Sequence, residues 1–226
     1  MSAIFREALG SDFERLHPRL QERFGFSSSD GIGCIGTGRM ERIWRGSPLV
    51  VPFLHLGARR HLLFPETGSG VPFTIENHAY VDDLGRETLT FVRTFAVGGG
   101  RRRRFDATMV HSREHGGIID YLGTHQHVAA HLDVHVDAEG GLHVASGRMA
   151  FLEGLVGLAI PPWACADARV HERWDEEAGC FRITVDVRNR VLGPVFGYHG
   201  RFTAHYVDTT AGVPAAIRPQ REEIRA

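Results

Sequence analysis

ETLTFVRTFAV, residues 87–97, alternates bulky apolar side chains with smaller ones. Its odd positions include Leu89, Phe91 and Phe95, whereas three of its five even positions are threonine. A period of two is typical of a β-strand that buries one face. This stretch therefore predicts a strand whose odd face points into the core, and it places Arg93 on that inward face.

The same period of two recurs through most of the chain after Pro72, and turns with glycine and acidic residues separate one run from the next. Short turns of this kind join antiparallel neighbours, because a parallel return needs a long crossover. The pattern predicts a mainly β fold, an antiparallel meander that closes into a calycin/lipocalin-like barrel and so leaves no open edge. The predicted strands cover residues 32–44, 73–82, 87–97, 103–112, 116–137, 141–150, 168–174, 180–189 and 195–207.

Short helices are predicted outside and between these strands. Residues 2–24 carry apolar side chains at helical spacing, and Pro18 divides this segment into two pieces because proline breaks a helix interior. Residues 48–65 are expected to form a helix followed by an irregular turn. One more short helix is predicted near residues 150–158, ahead of a pair of prolines.

A length of 226 residues suits one all-β domain with a sizeable core. We therefore expect a single domain over residues 1–226, with the barrel at about 32–208. The remaining tail, residues 209–226, is polar and is predicted to be flexible.

The composition excludes several classes of protein. A net charge of −1 gives no overall field that would recruit nucleic acid or an anionic membrane. No run approaches the ~20 apolar residues that span a bilayer, and nothing near the first residue resembles an export signal. With three widely spaced cysteines, these features predict a cytoplasmic protein, and a homodimer is one assembly that the sequence allows. The absence of lysine excludes Schiff-base chemistry and the lysine of a P-loop.

A glycine motif, GIGCIG at residues 31–36, matches a dinucleotide-binding fingerprint by letters alone. That fingerprint needs a preceding strand and a following helix in a parallel unit. Here a serine-rich loop precedes it and a strand pattern continues through it, so we interpret the glycines as sites of bending or close backbone approach. No cofactor is predicted.

Two histidines on one predicted strand, His125 and His127, project to the same side and could share a metal ion. His131, Asp133 or Glu153 could complete such a site. A hydrogen-bonding or surface role is the preferred interpretation, because His131 stands where a carboxylate ligand would be wanted. We therefore predict no metal.

The inward-facing Arg93 is the most informative charge in the sequence. A buried guanidinium is unfavourable unless a carboxylate meets it. Glu87 shares its strand face, while Glu76, Asp106 and Asp120 are plausible partners from other strands. The alternatives are a structural ion pair, an arginine whose head reaches water, or an anchor for the anionic group of a ligand.

Several strings resemble one bacterial family, catalogued as domain of unknown function 4166. They are MERIWRG at 40–46, PFTIEN at 72–77, GRET at 85–88, RFDATM at 104–109, DYLGTHQH at 120–127, EG at 153–154 and FGYHG at 196–200. The resemblance covers residues 16–206. It implies a stand-alone unit, because the dehydrogenase-like domain fused to some members is absent, and it implies no particular activity.

Two functions are favoured on the residues alone, and a structural or protein-interaction module is a third possibility if side chains fill the interior completely. The preferred one is a cofactor-independent barrel enzyme, such as a cyclase or isomerase of bacterial secondary metabolism, that polarises a small apolar substrate with a few polar groups. The alternative is a non-catalytic, lipocalin-like binder of a small apolar ligand that carries a carboxylate. The candidate catalytic residues are Arg93, Glu87, Asp106, Tyr121, His125 and His127; the candidate ligand-binding residues are Phe91, Phe95, Glu76, Tyr198, Phe196 and Met109.

Overall fold

A computed structural model describes residues 2–114, 116–153, 156–161 and 163–225. Three short α-helices and several 3-10 turns accompany eleven strands in this part of the chain. The helices are α1 (Ile4–Leu9), α2 (Pro18–Phe24) and α3 (Val51–Ala58). The strands are β1 (Ile32–Arg45), β2 (Gly68–Val81), β3 (Glu87–Ala96), β4 (Arg102–Ser112), β5 (Gly117–Leu122), β6 (Val128–Val136), β7 (Leu142–Glu153), β8 (Val156–Ala159), β9 (Ala166–Asp175), β10 (Cys180–Asn189) and β11 (Gly193–Asp208).

Ten of these strands form a closed antiparallel barrel, which confirms the predicted fold class. Each strand from β1 to β7 pairs with the next one along the chain, and β9, β10 and β11 complete the circle back to β1. The short strand β8 lies outside the circle and pairs with the end of β7. Closure gives each of these ten strands a partner on both sides over at least part of its length.

The closure is weakest between β7 and β9. These two strands pair over Leu142–Ala145 and Arg169–Glu172, and then they diverge. Beyond the paired stretch, the Ser146 hydroxyl accepts a hydrogen bond of 2.7 Å from the backbone N–H of Ala168. The wall of the barrel therefore has a gap at this point, between the second half of β7 and the start of β9.

The N-terminal helices close one end of the barrel. Pro18 begins α2, where its missing N–H is no loss, and His17 Nδ1 accepts the N–H of Arg19 as an N-cap. Phe5 and Phe24 from the two helices lie with their ring centroids 4.9 Å apart, and both contact Phe91 inside the barrel. The predicted helical segment and its division at Pro18 are confirmed.

Aromatic side chains fill the opposite end beneath α3. Phe64, which follows the helix, packs at 5.0 Å from Phe95 and 4.8 Å from Phe196. Phe95 also lies 5.0 Å from Phe73 and 5.1 Å from Tyr198. This cluster occupies the side of the barrel built from β1, β2, β3 and β11, and each fully buried ring contributes on the order of 2 kcal/mol.

The glycine motif lies in a strand, as predicted. At Gly38, just after it, an added Cβ would lie 2.1 Å from the carbonyl oxygen of Arg201 on the neighbouring strand. No side chain fits there, so the glycine allows β1 and β11 to approach closely. A dinucleotide fingerprint is wrong for this segment because β1 continues to Arg45 without a following helix.

Two predictions of local structure are wrong. Residues 116–137 form two strands rather than one, because Gly123 and Gln126 adopt φ values of 74° and 52° and turn the chain back. The helix predicted near 150–158 is replaced by strand, with β7 continuing to Glu153 and β8 beginning at Val156. Pairing of Ala150 with both Ala129 and Ala159 outweighs the helical preference of this alanine- and leucine-rich stretch. Residues 154 and 155 lie outside the described part of the chain.

The C-terminal segment lies across the outer face of the barrel. Tyr121 donates a hydrogen bond of 2.9 Å to the carbonyl of Arg225, and the buried Glu223 donates its backbone N–H to Gln126 at 2.6 Å. The Arg218 guanidinium lies 4.7 Å from the Tyr80 ring. The sequence predicted a flexible tail here; its mobility stays a prediction, but its contacts are specific. None of the helices within the described residues is long and apolar enough to cross a membrane.

Candidate functional site

A cavity of about 360 Å³ lies inside the barrel, between the aromatic cluster and the wall formed by β4 to β7, β9 and β10. Its size falls within the range of small-molecule sites. Inward positions at every second residue of these strands supply small or flexible apolar side chains, and α3 closes one side. The lining includes Leu54, Phe105, Met109, Leu122, Val128, Ala130, Leu132, Val144, Met149, Ala166, Ala168, Val170, Val185 and Val187.

Arg93 brings a positive charge to this apolar cavity. Its side chain lines the wall and only 7% of the residue is exposed. The guanidinium carbon lies 4.7 Å from the Phe105 ring and 5.4 Å from the Phe91 ring, so two aromatic faces partly replace water. Nε and Nη1 are buried without a hydrogen-bond partner among the described residues. The predicted inward position of Arg93 is confirmed, and two of its donor nitrogens are available to a ligand.

Asp120 is the second charged residue in the described wall of the cavity. It is 7% exposed, and its Oδ1 has no hydrogen-bond partner among the described residues. Burial raises the pKa of the Asp120 carboxyl group to about 7, although the Arg93 charge acts in the opposite direction. This carboxyl group therefore titrates near neutral pH, whereas ordinary aspartates titrate only in acid.

Tyr198 packs beside the cavity within the aromatic cluster. Its hydroxyl is buried without a partner among the described residues, and burial raises its pKa to about 12. The charge of Arg93 opposes this shift in pKa, so the two groups interact electrostatically. The phenol stays protonated over the physiological range and can act as a hydrogen-bond donor.

The two carboxylates predicted for catalysis, Glu87 and Asp106, lie away from the cavity. Both Glu87 oxygens accept hydrogen bonds of 2.6 Å from the backbone N–H and hydroxyl of Ser28, so Glu87 anchors the loop before β1. Asp106 accepts two hydrogen bonds from Arg104, at 3.1 and 2.8 Å, and its side chain belongs to the outside of β4. The structure does not bring either carboxylate to Arg93.

The predicted tyrosine donor and the histidine pair are also outside. Tyr121 belongs to the outer apolar cluster beneath the C-terminal segment. His125 and His127 lie in the turn between β5 and β6, where His127 Nε2 is 2.9 Å from a Glu153 oxygen. The His125 and His127 pKa values are lowered, first by desolvation, and among the described residues no third ligand joins the pair. They flank the barrel rather than the cavity.

Of the predicted ligand-binding residues, Met109 lines the cavity directly. Phe95, Phe196 and Tyr198 form the aromatic cluster beside it, and Phe91 supports the Arg93 guanidinium. The prediction that Glu76 binds a ligand in the interior is wrong, because Glu76 lies on the opposite face of β2 from Phe73 and Ile75. Its carboxylate lies 3.7 Å from His78. The structure therefore gathers Met109 at the cavity and the aromatic residues around it.

Sequence reasoning considered Asp120 as a partner of Arg93 but not as a site residue. Its signal is the same alternation that locates Arg93, because Ile118, Asp120 and Leu122 occupy the inward positions of β5. Phe105, on the inward face of β4, was missed because it follows four arginines that suggest a solvated turn.

The cavity reaches solvent beside α3. Phe53 lines the cavity and yet is 67% exposed, so this ring stands at its mouth. Leu49 and Leu56 nearby are 69% and 64% exposed. Ile160, Ala164 and Cys165, from the connection before β9, border the cavity next to the gap between β7 and β9. The cavity is thus bounded by a helix and a loop as well as by strands.

Comparison with known proteins places this barrel in a defined group. A family model described as "Domain of unknown function (DUF4166)" matches residues 16–202. A curated relative from Bacillus subtilis (strain 168), described as "Uncharacterized protein YndH", is 33% identical over 202 residues, which cover 89% of this chain and 97% of that protein. The family match extends from α2 to β11 and includes both cavity charges. Neither description names a ligand or a reaction.

Proposed function

The chain belongs to the family of domain of unknown function 4166, and from this premise we propose a function on the geometry of its cavity. We propose that the barrel binds a small apolar molecule carrying an anionic group, a carboxylate in the simplest case. The apolar part would occupy the cavity, and the anionic group would meet Arg93.

The observation that supports this proposal is the state of the Arg93 guanidinium. A buried cation with unpartnered donors is unfavourable, so a cavity that contains one favours a ligand with the opposite charge. Charge-assisted hydrogen bonds between arginine and carboxylate are among the strongest in proteins. The remaining wall offers apolar contacts, which explains why the proposed ligand is largely hydrocarbon.

Asp120 favours the same ligand when it carries its proton. A neutral carboxyl group can donate a hydrogen bond to the ligand anion, whereas an ionised one would repel it. Because the pKa of Asp120 is about 7, we expect ligand affinity to fall as the pH rises through this value. Binding would be accompanied by uptake of a proton.

The test compares a fluorescent polyene fatty acid with its methyl ester, which has the same hydrocarbon chain without the charge. We expect the acid to bind the wild-type barrel at least about tenfold more tightly than the ester, since hydrogen bonds to charged groups contribute roughly 1.5–3 kcal/mol. In Arg93→Met, acid and ester should bind alike. Equal binding of the two probes by the wild type, or unchanged acid binding by the variant, would contradict the proposal.

A matched control is Arg104→Met. Arg104 lies two strand positions from Asp106 on the outside of the barrel and pairs with it, so its loss should leave the preference for the acid intact. Arg93→Met should fold, because replacing an unpartnered buried charge with an apolar side chain of similar length is neutral or stabilising. Circular dichroism of both variants checks this.

A second function, a cofactor-independent isomerase or cyclase, is favoured by one specific observation. The pKa of Asp120 lies near 7, in the range where a group can both accept and return a proton at neutral pH. In such an enzyme Asp120 would remove a proton next to a carbonyl, and Arg93 would stabilise the oxyanion that develops. In this proposal Asp120 takes the place of Glu87 and Asp106, the carboxylates that the sequence alone suggested.

Proton exchange separates the two functions. We would incubate the protein with an apolar β,γ-unsaturated ketone in D₂O and follow deuterium incorporation and double-bond migration by NMR. An enzyme would catalyse both, and Asp120→Asn would abolish them while a bound probe is still retained in the cavity. Binding of the ketone without deuterium exchange above background would support ligand binding and contradict the enzyme function.

We propose that the protein acts in the cytoplasm. Cys34, Cys165 and Cys180 are all free and buried, which fits a reducing compartment.

A further inference from the structure

A row of three histidines crosses the outer face of the barrel where its closure is weakest. His135 on β6 lies opposite His143 on β7, and His143 lies opposite His171 on β9. The His143 and His171 rings stack with centroids 4.1 Å apart, and the His135 and His143 rings with centroids 4.8 Å apart. Asp137, which follows β6, meets the last two of these rings.

The Asp137 carboxylate is held with one oxygen facing both imidazoles. Its Oδ2 lies 2.9 Å from His143 Nε2 and 3.1 Å from His171 Nε2. Its Oδ1 accepts the backbone N–H groups of Glu139 and Gly141, at 3.0 and 2.7 Å. The turn therefore fixes the orientation of this carboxylate, as outer hydrogen bonds do for metal ligands.

We propose that Asp137, His143 and His171 bind a divalent transition-metal ion, represented by Zn²⁺. Among the described residues, these three form a group whose ligand atoms all lie within 4.8 Å of one another. Tetrahedral Zn²⁺ with bonds of about 2.0–2.1 Å holds its ligand atoms roughly 3.3 Å apart, close to the two measured separations. Two imidazoles and a carboxylate are a donor set that Zn²⁺ accepts, with a fourth position open to water.

A glycine keeps the space between these ligand atoms open. An added Cβ at Gly141 would lie 2.6 Å from Asp137 Oδ2 and 2.8 Å from His171 Nε2. Any other residue would push the ligands apart or fill the position of the ion. The exposed fractions of the three ligand side chains are 20% for Asp137 and 34% for each histidine, so an ion can reach them from solvent.

The position of the site gives it a structural consequence. It joins the turn after β6 to β7 and β9 at the short pairing of Leu142–Ala145 with Arg169–Glu172. A bound ion would cross-link the strands that close the barrel, next to the gap that borders the cavity. We therefore expect Zn²⁺ to raise the thermal midpoint of unfolding by about 5–10 °C at a hundredfold excess over its dissociation constant.

The test is isothermal titration of tag-free, chelator-treated full-length protein with Zn²⁺, alongside thermal unfolding with and without the ion. The wild type should bind one ion and gain stability. His143→Ala and His171→Ala should lose both effects, and Asp137→Asn should bind at least about tenfold more weakly. Co²⁺ in place of Zn²⁺ should give the visible absorption of a tetrahedral nitrogen–oxygen site.

His127→Ala is the matched control, because His127 also meets a carboxylate, that of Glu153, but lies outside the proposed ligand set. It should bind Zn²⁺ as the wild type does. If an alanine variant fails to fold, His171→Gln keeps a polar side chain there and answers the same question. The proposal is overturned if the wild type has no saturable Zn²⁺ site, if the site survives loss of His143 or His171, or if it disappears in His127→Ala.

Discussion

Replacing Asp120 with asparagine should change how the free energy of unfolding depends on pH. Burial raises the pKa of the Asp120 carboxyl group from 3.8 to about 7. Below the unfolded value the group is neutral in both states, and folding buries no charge. Between the two values the unfolded chain releases the proton while the folded chain keeps it, so stability falls as the pH rises.

The size of the effect follows from the shift. A pKa difference of about 3 units corresponds to about 4 kcal/mol, because each unit is worth roughly 1.4 kcal/mol. The favourable contribution is fully present below the pKa of the unfolded chain and is lost as the pH rises through about 7. Asparagine does not ionise, so the stability of Asp120→Asn relative to the wild type should increase by about 1.4 kcal/mol per pH unit between pH 5 and pH 7.

Urea denaturation at pH 5, 6, 7 and 8 measures this difference directly. Asp133→Asn, an exposed carboxyl group on β6, is the control and should show no such growth with pH. In an Arg93→Met background the difference should extend to higher pH, because Arg93 lowers the pKa of Asp120. A stability difference between Asp120→Asn and the wild type that stays constant from pH 5 to pH 8 would refute the reasoning and place this carboxyl group in contact with water.

Three further changes test the framework around the cavity. Glu172→Gln should destabilise the protein by about 3–5 kcal/mol in urea, because it removes the negative charge that compensates the buried Arg23 guanidinium 2.5 Å away; a loss below about 1 kcal/mol would contradict this. Gly38→Ala should cost about 1–3 kcal/mol, since its Cβ would meet a backbone oxygen at 2.1 Å, whereas Gly117→Ala, with its nearest atom at 3.7 Å, should be tolerated. Glu223→Ala removes the acceptor of Arg221 and Arg225, so limited proteolysis should cut the C-terminal segment faster than in the wild type; an unchanged rate would show that other contacts hold it.

The barrel and the inward position of Arg93 could be predicted because both depend on local alternation. Each strand carries its own period of two, and β3 shows it clearly enough to place a single charge on the correct face. The same logic suggested Phe196 and Tyr198 as interior residues, and both are buried in the structure. A side-chain alternation that repeats along one strand can be recognised from a single sequence.

Structural features that depend on contacts between distant segments could not be predicted from this alternation. The turn after β5 depends on positive φ values at Gly123 and Gln126, and without it the alternation over 116–137 runs on as a single strand. The region near Ala150 has residues that favour a helix, but it forms a strand because it pairs with β6 on one side and β8 on the other. Burial of Tyr121 on the outer face depends on the C-terminal segment. Its hydrogen-bond partner Arg225 lies 104 residues further along the chain.

The cavity results from an uneven distribution of side-chain volume around the barrel. Large rings such as Phe73 and Phe95 fill the side near β1 and β2, whereas the opposite wall uses valine and alanine at its inward positions. Larger apolar side chains there would fill the space and stabilise the fold, since empty volume in a core is unfavourable. Arg93 and Asp120 add the desolvation of two ionisable groups to that cost. Proteins accept local losses of stability of this kind at functional sites, so the combination of unfilled volume and incompletely partnered charge supports our proposal that this interior binds a ligand.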